Sequence, residues 1–247
     1  MNQQMTTNET PAQENNGQTI THRREIKSFV RREGRTTPAQ ERALNELLPV
    51  YGIDYCPDQQ LNFTQLFGND NPVWLEIGFG MGQSLASMAA TMPHINFLGI
   101  EVHRPGVGSL LNAVQEKNLT NIRVMSHDAV EVLKNMIAEN SLARLLLFFP
   151  DPWHKTRHHK RRIVQTEFMS LVASRLSVSG AFHAATDWEP YAQWMMEVLD
   201  SHPDYQNSAG TGNFSIKPDY RPETKFERRG QRLGHGVWDL VYIKGQR

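Results

Sequence analysis

The sequence holds a single cysteine, Cys56, in 247 residues. One cysteine excludes an intramolecular disulfide and any cysteine-built metal cluster, and it fits a reducing compartment. Long hydrophobic runs are also missing. The longest, Leu145 to Pro150, is far short of the roughly 20 apolar residues that span a bilayer. The opening residues, MNQQMTTNETPAQENNGQ, have neither the basic start nor the apolar stretch of a signal peptide. A soluble, cytoplasmic protein with no membrane association is expected. An excess of either charge is absent as well, since the formal net charge is zero. That total hides clustering: Lys155, Arg157, Lys160, Arg161 and Arg162 lie together, as do the basic residues from Arg23 to Arg35 and from Arg221 to Arg232. A neutral chain can therefore present a basic face to a polyanion.

What is present divides unevenly. The first twenty or so residues carry almost no large apolar side chains and read as disordered. With the basic stretch that follows they form a flexible arm over 1–35, which leaves 36–247 as the folded domain. Thr37-Pro38-Ala39-Gln40 has the form of a helix start, with a capping threonine, proline at the first helical position and a glutamine to close the box. From Val73 onward, short apolar runs alternate with segments of helical period. Strands are expected at Val73 to Ile77, Phe97 to Ile100, Ile122 to Met125, Leu145 to Phe149, Gly180 to Ala185 and Val237 to Ile243. Serial β-α units predict an α/β fold with a mostly parallel, doubly wound sheet.

Three acidic residues fall where the first three strands end. Glu76 precedes Gly78-Phe79-Gly80-Met81-Gly82, a glycine loop opening a helix, where bare backbone can approach a ligand closely. The spacing is not the G-x-G-x-x-G of a dinucleotide site, which disfavours a nicotinamide-dependent dehydrogenase. A carboxylate this close suits a cofactor with a cationic amino-acid end. Glu101 ends the second strand, where a carboxylate reaches ribose hydroxyls, and Asp128 follows the third, within reach of an adenine amine. After the fourth strand comes Phe149-Pro150-Asp151-Pro152-Trp153-His154-Lys155, running into Arg157, His158, His159, Lys160, Arg161 and Arg162. The prolines should hold Asp151 over the pocket, Trp153 offers a face for base stacking, and the cations suit phosphates. His154, His158 and His159 lack the partners of a metal site, so no metal is expected.

On these residues the chain resembles the bacterial tRNA (guanine-N7)-methyltransferase family. The stretches WLEIGFGMGQSL, GIEVHRPGVGSLL, FFPDPWHKTRHHKRR, ATDWEPYAQWM and RPETKFERRGQRLGHGVWDLVY carry the resemblance over about residues 40 to 245. It implies a Rossmann-like class I methyltransferase fold with an antiparallel C-terminal strand, S-adenosyl-L-methionine as cofactor, and methylation of N7 of a guanine, in the variable loop, of a tRNA partner. It also implies that Glu76, Gly78, Gly80, Gly82, Glu101, Asp128 and Asp151 hold the cofactor, with Asp151 the catalytic candidate. Lys155, Asp187, Thr224, Lys225, Phe226 and Glu227 would meet the substrate, and Arg157, His158, His159, Lys160, Arg161 and Arg162 the RNA. Asp187 and Glu227 are candidates to accept from guanine N1–H and N2–H₂. His154 stands where many relatives carry proline, which should loosen the loop. An amino-group methyltransferase and a non-catalytic RNA-binding protein remain as alternatives, and a monomer and a homodimer are equally open. No protein partner is implied.

Overall fold

A seven-stranded sheet in the order β3-β2-β1-β4-β5-β7-β6 forms the centre of the molecule. The computed structural model describes residues 28–29, 34–224, 227 and 236–246. Strands β1 (Val73–Ile77), β2 (Asn96–Ile100), β3 (Ile122–Met125), β4 (Leu142–Phe148) and β5 (Leu176–Thr186) run parallel. β7 (Trp238–Lys244) is antiparallel to β5, and β6 (Tyr205–Asn207) is antiparallel to β7. The chain winds outward from β1 through β2 to β3, then returns to pair β4 with β1. That reversal opens a crevice at the C-terminal ends of β1 and β4, where such sheets bind ligands.

All five residues of β1 and of β2 are buried, as expected of parallel strands covered on both faces. Helices α6 (Ala129–Asn135), α7 (Thr166–Arg175) and α8 (Glu189–Asp200) pack on one face, with Leu75, Leu145, Leu147 and Phe182 facing them. On the other face, α4 (Gln83–Thr91) and α5 (Arg104–Glu116) cover Trp74, Phe97 and Leu146. Helix α1 (Pro38–Glu46) starts as the sequence predicts: Thr37 and Gln40 complete a capping box with Pro38 beside it. It lies across α5 at Gly108, where an added Cβ would come within 2.7 Å of the Gln40 carbonyl oxygen. The short helices α2 (Leu48–Tyr51) and α3 (Phe63–Phe67) lead into β1.

Several boundaries differ from the sequence reading. β5 starts at Leu176 rather than Gly180, and it is irregular: register against β4 jumps between Leu142 and Arg144, and Ser179 takes φ 63°. The Ser-Val-Ser-Gly stretch looks like a turn but is a strand with a kink. β4 spans Leu142–Phe148 and excludes Phe149, whose φ of 52° ends the extended run. The basic run forms a 3-10 helix, Thr156–Arg161, and β6 was not anticipated. Among the described residues no helix is long and apolar enough to cross a membrane.

The face shared by Trp74, Arg144, His183 and Asp239 continues across β4, β5 and β7 beyond α4 and α5. Register puts Arg144 beside Trp74 and Leu146 beside His183, and the segment leading to Arg221 lies on them instead. Tyr220 packs edge-on against Trp74 and His183. The Arg144 guanidinium sits 4.4 Å from the Trp74 and Tyr220 ring centroids.

Candidate active site

The strand ends bring most of the expected residues together around two adjoining cavities. The smaller, about 300 Å³, is lined by Glu101, Asp128 and Asp151 with apolar Ile100, Val130 and Ile163. The larger, about 530 Å³, is lined by Glu76, the loop Gly78 to Gln83, and Pro222, Glu223 and Thr224. Gly78, Phe148 and Phe149 belong to both walls.

Glu76 is 3 % exposed, and its Oε2 is buried with no hydrogen-bond partner among the described residues. Burial, and then the charge of Glu101, pushes its carboxyl up to about 8. An unpartnered buried carboxylate is costly unless a cation comes to it. Gly78 and Gly80 have φ of 72° and 57°, and an added Cβ on either would meet nothing within 4 Å. Their backbone is thus bare toward open space. Gly82, at φ 73°, caps α4 with no side-chain bond. Glu101 fixes this loop by accepting from the N–H of Gly80 at 2.8 Å, Val102 at 2.7 Å and His103 at 2.9 Å. A carboxylate has about four acceptor positions, so one remains for a ligand hydroxyl. Asp128 caps α6, accepting from the Val130 N–H at 3.0 Å, while still lining the smaller cavity.

The loop after β4 is held under tension. Phe149 and Trp153 have φ of 52° and 48° on either side of Pro150-Asp151-Pro152. Such conformations persist where the surroundings over-determine them. Here Phe149 N–H donates to the Ala185 carbonyl at 2.7 Å, and Arg162 Nε donates to the Pro152 carbonyl at 2.9 Å. Asp151 is exposed at the loop's crest and lines the smaller cavity.

The expected RNA-contact residues separate. Arg157 and Lys160 are exposed, and His158, His159 and Arg161 are half-buried. Arg162 is 4 % exposed and lies over the Tyr191 and Trp194 rings, so it fastens the loop from below rather than facing outward. Desolvation, and then the charges of Arg157, Lys155, Arg161 and Lys160, hold His158 below its ordinary value. Trp153 is not the open stacking face the sequence suggests. The Arg161 guanidinium lies 4.3 Å from its centroid, and its indole N–H donates to the Ser28 carbonyl at 3.2 Å. His154 packs edge-on against Trp188, centroids 4.4 Å apart, a contact that offsets the loosening expected from losing proline.

On the substrate side, Lys155 is exposed and Asp187 half-buried at the end of β5. Thr224 lines the larger cavity. Glu227 is 1 % exposed with both oxygens taken by Arg221, at 2.8 Å each. Lys225 and Phe226 lie outside the described residues.

The sequence reading missed four contributors. Ser28 and Phe29 of the arm line the smaller cavity; nothing in their polar and basic surroundings marks them. Trp188 stays 40 % exposed beside Asp187. Gly106, inside α5, admits the Gly80 carbonyl so closely that a Cβ there would lie 2.1 Å from its oxygen. Two glycines within one predicted helix were the available signal.

Comparison with known proteins fits this geometry. A family model described as "Putative methyltransferase" matches residues 70–240. A tRNA (guanine-N(7)-)-methyltransferase of Aeromonas hydrophila is 59% identical over 219 residues, 89% of this chain and 92% of the relative. One from Vibrio cholerae is 60% identical over 220 residues, with the same shares. One from Pseudomonas syringae is 57% identical over 236 residues, 96% of each chain. Among solved structures, the 16S rRNA methyltransferase KamB matches with a TM-score of 0.52 at 14% identity, covering 74% of this chain and 93% of that one. At that identity the likeness speaks for the fold alone.

Proposed function

Given that the chain belongs to the tRNA (guanine-N7-)-methyltransferase family, we propose that the two adjoining cavities together hold its cofactor and its target base. The enzyme transfers the methyl group of S-adenosylmethionine to N7 of a guanine in tRNA; we take that guanine to be the one in the variable loop. The observation that carries this reading is Glu76, a buried carboxyl group whose Oε2 has no partner among the described residues, at the junction of the glycine loop and the sheet.

The residues fit the cofactor. Glu76 suits its cationic amino-acid end, the bare backbone at Gly78 and Gly80 lets that end approach, and Gly82 lines the same cavity while packing against Leu110. Glu101 has acceptor capacity for ribose, and Asp128 for adenine, among apolar Ile100, Val130 and Ile163. When bound, S-adenosylmethionine supplies an electrophilic methyl on a positively charged sulfur. Guanine N7 offers a lone pair and no proton, so the chain needs no general base. Its residues have to orient the base and compensate the positive charge the purine gains. Asp151, which lines the smaller cavity, is our candidate for the second task. Lys155, Asp187 and Thr224 surround the substrate side, with Lys225 and Phe226 of the same motif assigned there from the sequence. Arg157, Lys160 and the half-buried His158, His159 and Arg161 form the phosphate-facing rim. We treat 36–247 as the methyltransferase domain and 1–35 as an arm whose Ser28 and Phe29 help to close the cofactor cavity. The enzyme works in the cytoplasm, as a monomer or a homodimer, and no protein partner is inferred.

The deciding experiment incubates the protein with methyl-labelled S-adenosylmethionine and unmodified tRNA, then digests the tRNA to nucleosides. Label in 7-methylguanosine is the expected result. Label in an exocyclic amine, or binding of tRNA without transfer, would overturn the reading.

Two variants test particular parts. Gly106→Ala forces the Gly80 carbonyl aside and breaks the Gly80–Glu101 bond. Its affinity for S-adenosylmethionine should fall about 10- to 30-fold by calorimetry, the scale of one lost charged hydrogen bond; unchanged affinity would show that the loop adapts. Trp188, exposed beside Asp187 and braced by His154, presents a ring for a nucleotide base. Trp188→Ala should raise KM for tRNA about tenfold, whereas Trp188→Phe should stay close to wild type. Equal KM values in all three would remove the stacking role.

A further inference from the structure

We infer that Glu227 does not read the guanine but is a positioning residue: through Arg221 and Asp239 it clamps the Pro222–Thr224 wall of the larger cavity onto β5 and β7. The inference rests on the methyltransferase reading above and assigns one residue of that site a different task from the one its motif suggests.

The geometry is a closed chain of bonds. Arg221, 1 % exposed, donates from Nη1 and Nη2 to the two oxygens of Glu227 at 2.8 Å each. From Nε and Nη2 it donates to the two oxygens of Asp239, at 2.7 and 2.8 Å. Both carboxylates are thus engaged in the two-pronged manner that guanidinium favours. Asp239 is also 2.8 Å from His183 Nε2, and His183 Nδ1 is 2.8 Å from the Tyr220 hydroxyl. Thr224 closes the ring: its N–H donates to Glu227 Oε2 at 3.3 Å, and its Oγ1 accepts from Glu227 N–H at 3.0 Å. Arg221 also lies 5.9 Å from the ring centroids of Phe148 and Phe149, which wall both cavities.

Charge balances within the cluster. Burial holds His183 below its ordinary value despite Asp239, so it stays neutral, and Arg144 and Arg221 stand against Asp239 and Glu227. Drawing Glu227 toward a guanine would leave Arg221 half-paired in the interior, which is strongly unfavourable. The cluster lies on the sheet face that α4 and α5 cover further along, so these bonds do for the wall what apolar packing does for those helices. Pro222, Glu223 and Thr224 follow Arg221 directly and line the cavity.

The test compares Glu227→Gln with Glu227→Ala on tRNA carrying guanine or inosine at the target position. Inosine lacks the 2-amino group and keeps N7. Glutamine keeps one oxygen to accept from Arg221 Nη1 and Thr224, while its NH₂ faces Arg221 Nη2 if Glu227 is a clamp and the donors of guanine if it is a reader. Expected for a clamp is a loss in kcat of about 20-fold in Glu227→Ala and a comparable or smaller loss in Glu227→Gln, with an unchanged guanine-to-inosine ratio in both. A collapse of the guanine-to-inosine ratio in either variant would make Glu227 a direct reader and overturn the inference. A lowered melting temperature with normal kcat and KM would reduce it to a purely structural role and overturn it equally. Should Glu227→Ala fail to fold, Arg221→Lys carries the test, since lysine cannot hold two carboxylates at once. Its kcat loss should match, and Arg221→Lys with Glu227→Gln together should lose no more than the worse single variant; additive losses would refute the clamp. If wild type makes no 7-methylguanosine, the reading of the reaction fails and not the clamp.

Discussion

Asp151→Ala lowers the rate of 7-methylguanosine formation at saturating cofactor and tRNA about 100- to 1,000-fold, the range seen when one preorganised electrostatic group is removed from a reacting centre. The carboxylate is exposed in the free protein, where water would screen most of its effect. On the proposed reading, bound tRNA would cover the loop and strip that water away, so that the same charge would act through a less polarisable medium. Its value depends on being in place beforehand. The positive φ angles at Phe149 and Trp153, the two prolines, the Phe149–Ala185 bond and the Arg162–Pro152 bond all fix the crest. Asp151→Asn separates charge from shape. It should fall nearly as far as alanine if the charge stabilises the methylated purine, and remain near wild type if only a hydrogen bond is needed. Single-turnover rates at saturation exclude binding effects. Near-normal rates in Asp151→Ala would end the proposal for this residue.

The same loop shows where the sequence was legible. Serial strands and helices follow from the apolar period alone, and the Thr37 cap, the five parallel strands and the last strand stand where the pattern predicts them or within a few residues. What failed was local chemistry overridden by tertiary contacts. The fifth strand is expected from the pattern only at Gly180, yet it begins at Leu176 because it kinks around Ser179 and pairs on both sides of the kink. β6 has three residues at the sheet edge, too short for any period to register.

In the site, position along the fold was legible and burial was not. Glu76, Glu101 and Asp128 could be assigned to strand ends because the doubly wound pattern fixes where strands end. Arg162 and Glu227 look like surface charges within charged runs. Their partners are a carbonyl ten residues back and two tyrosine- and tryptophan-bearing turns of α8 in one case, and Arg221 with Asp239 behind it in the other. No local spacing encodes such contacts. Trp153 likewise reads as a stacking face only until Arg161 and Ser28 are seen against it. Family resemblance carries residue identity across this gap, but not the task each residue performs.

Glu76 provides a second large effect, and one with a sign. Its carboxyl is raised from 4.5 to about 8 by complete burial and by Glu101. Below pH 4.5 it is protonated whether the chain is folded or not, and contributes nothing. Between 4.5 and about 8 the unfolded chain ionises while the folded one does not, so stability without cofactor falls as pH rises, by roughly 5 kcal/mol at full extent. Glu76→Gln removes that fall. Cofactor affinity moves the opposite way. Glu76 must give up its proton to face a cation, so below pH 8 the advantage of wild type over Glu76→Gln grows up to about tenfold per pH unit, then levels off. Taking the ratio cancels the titration of the cofactor's own amino group. At pH 8 the ratio should reach about 100-fold, a charged hydrogen bond and an ion pair in a dry site, with proton release on binding visible in calorimetry across buffers of different ionisation heat. A ratio that stays flat from pH 6 to 8, with no proton released, would mean that Glu76 remains neutral beneath the cofactor and acts by shape alone.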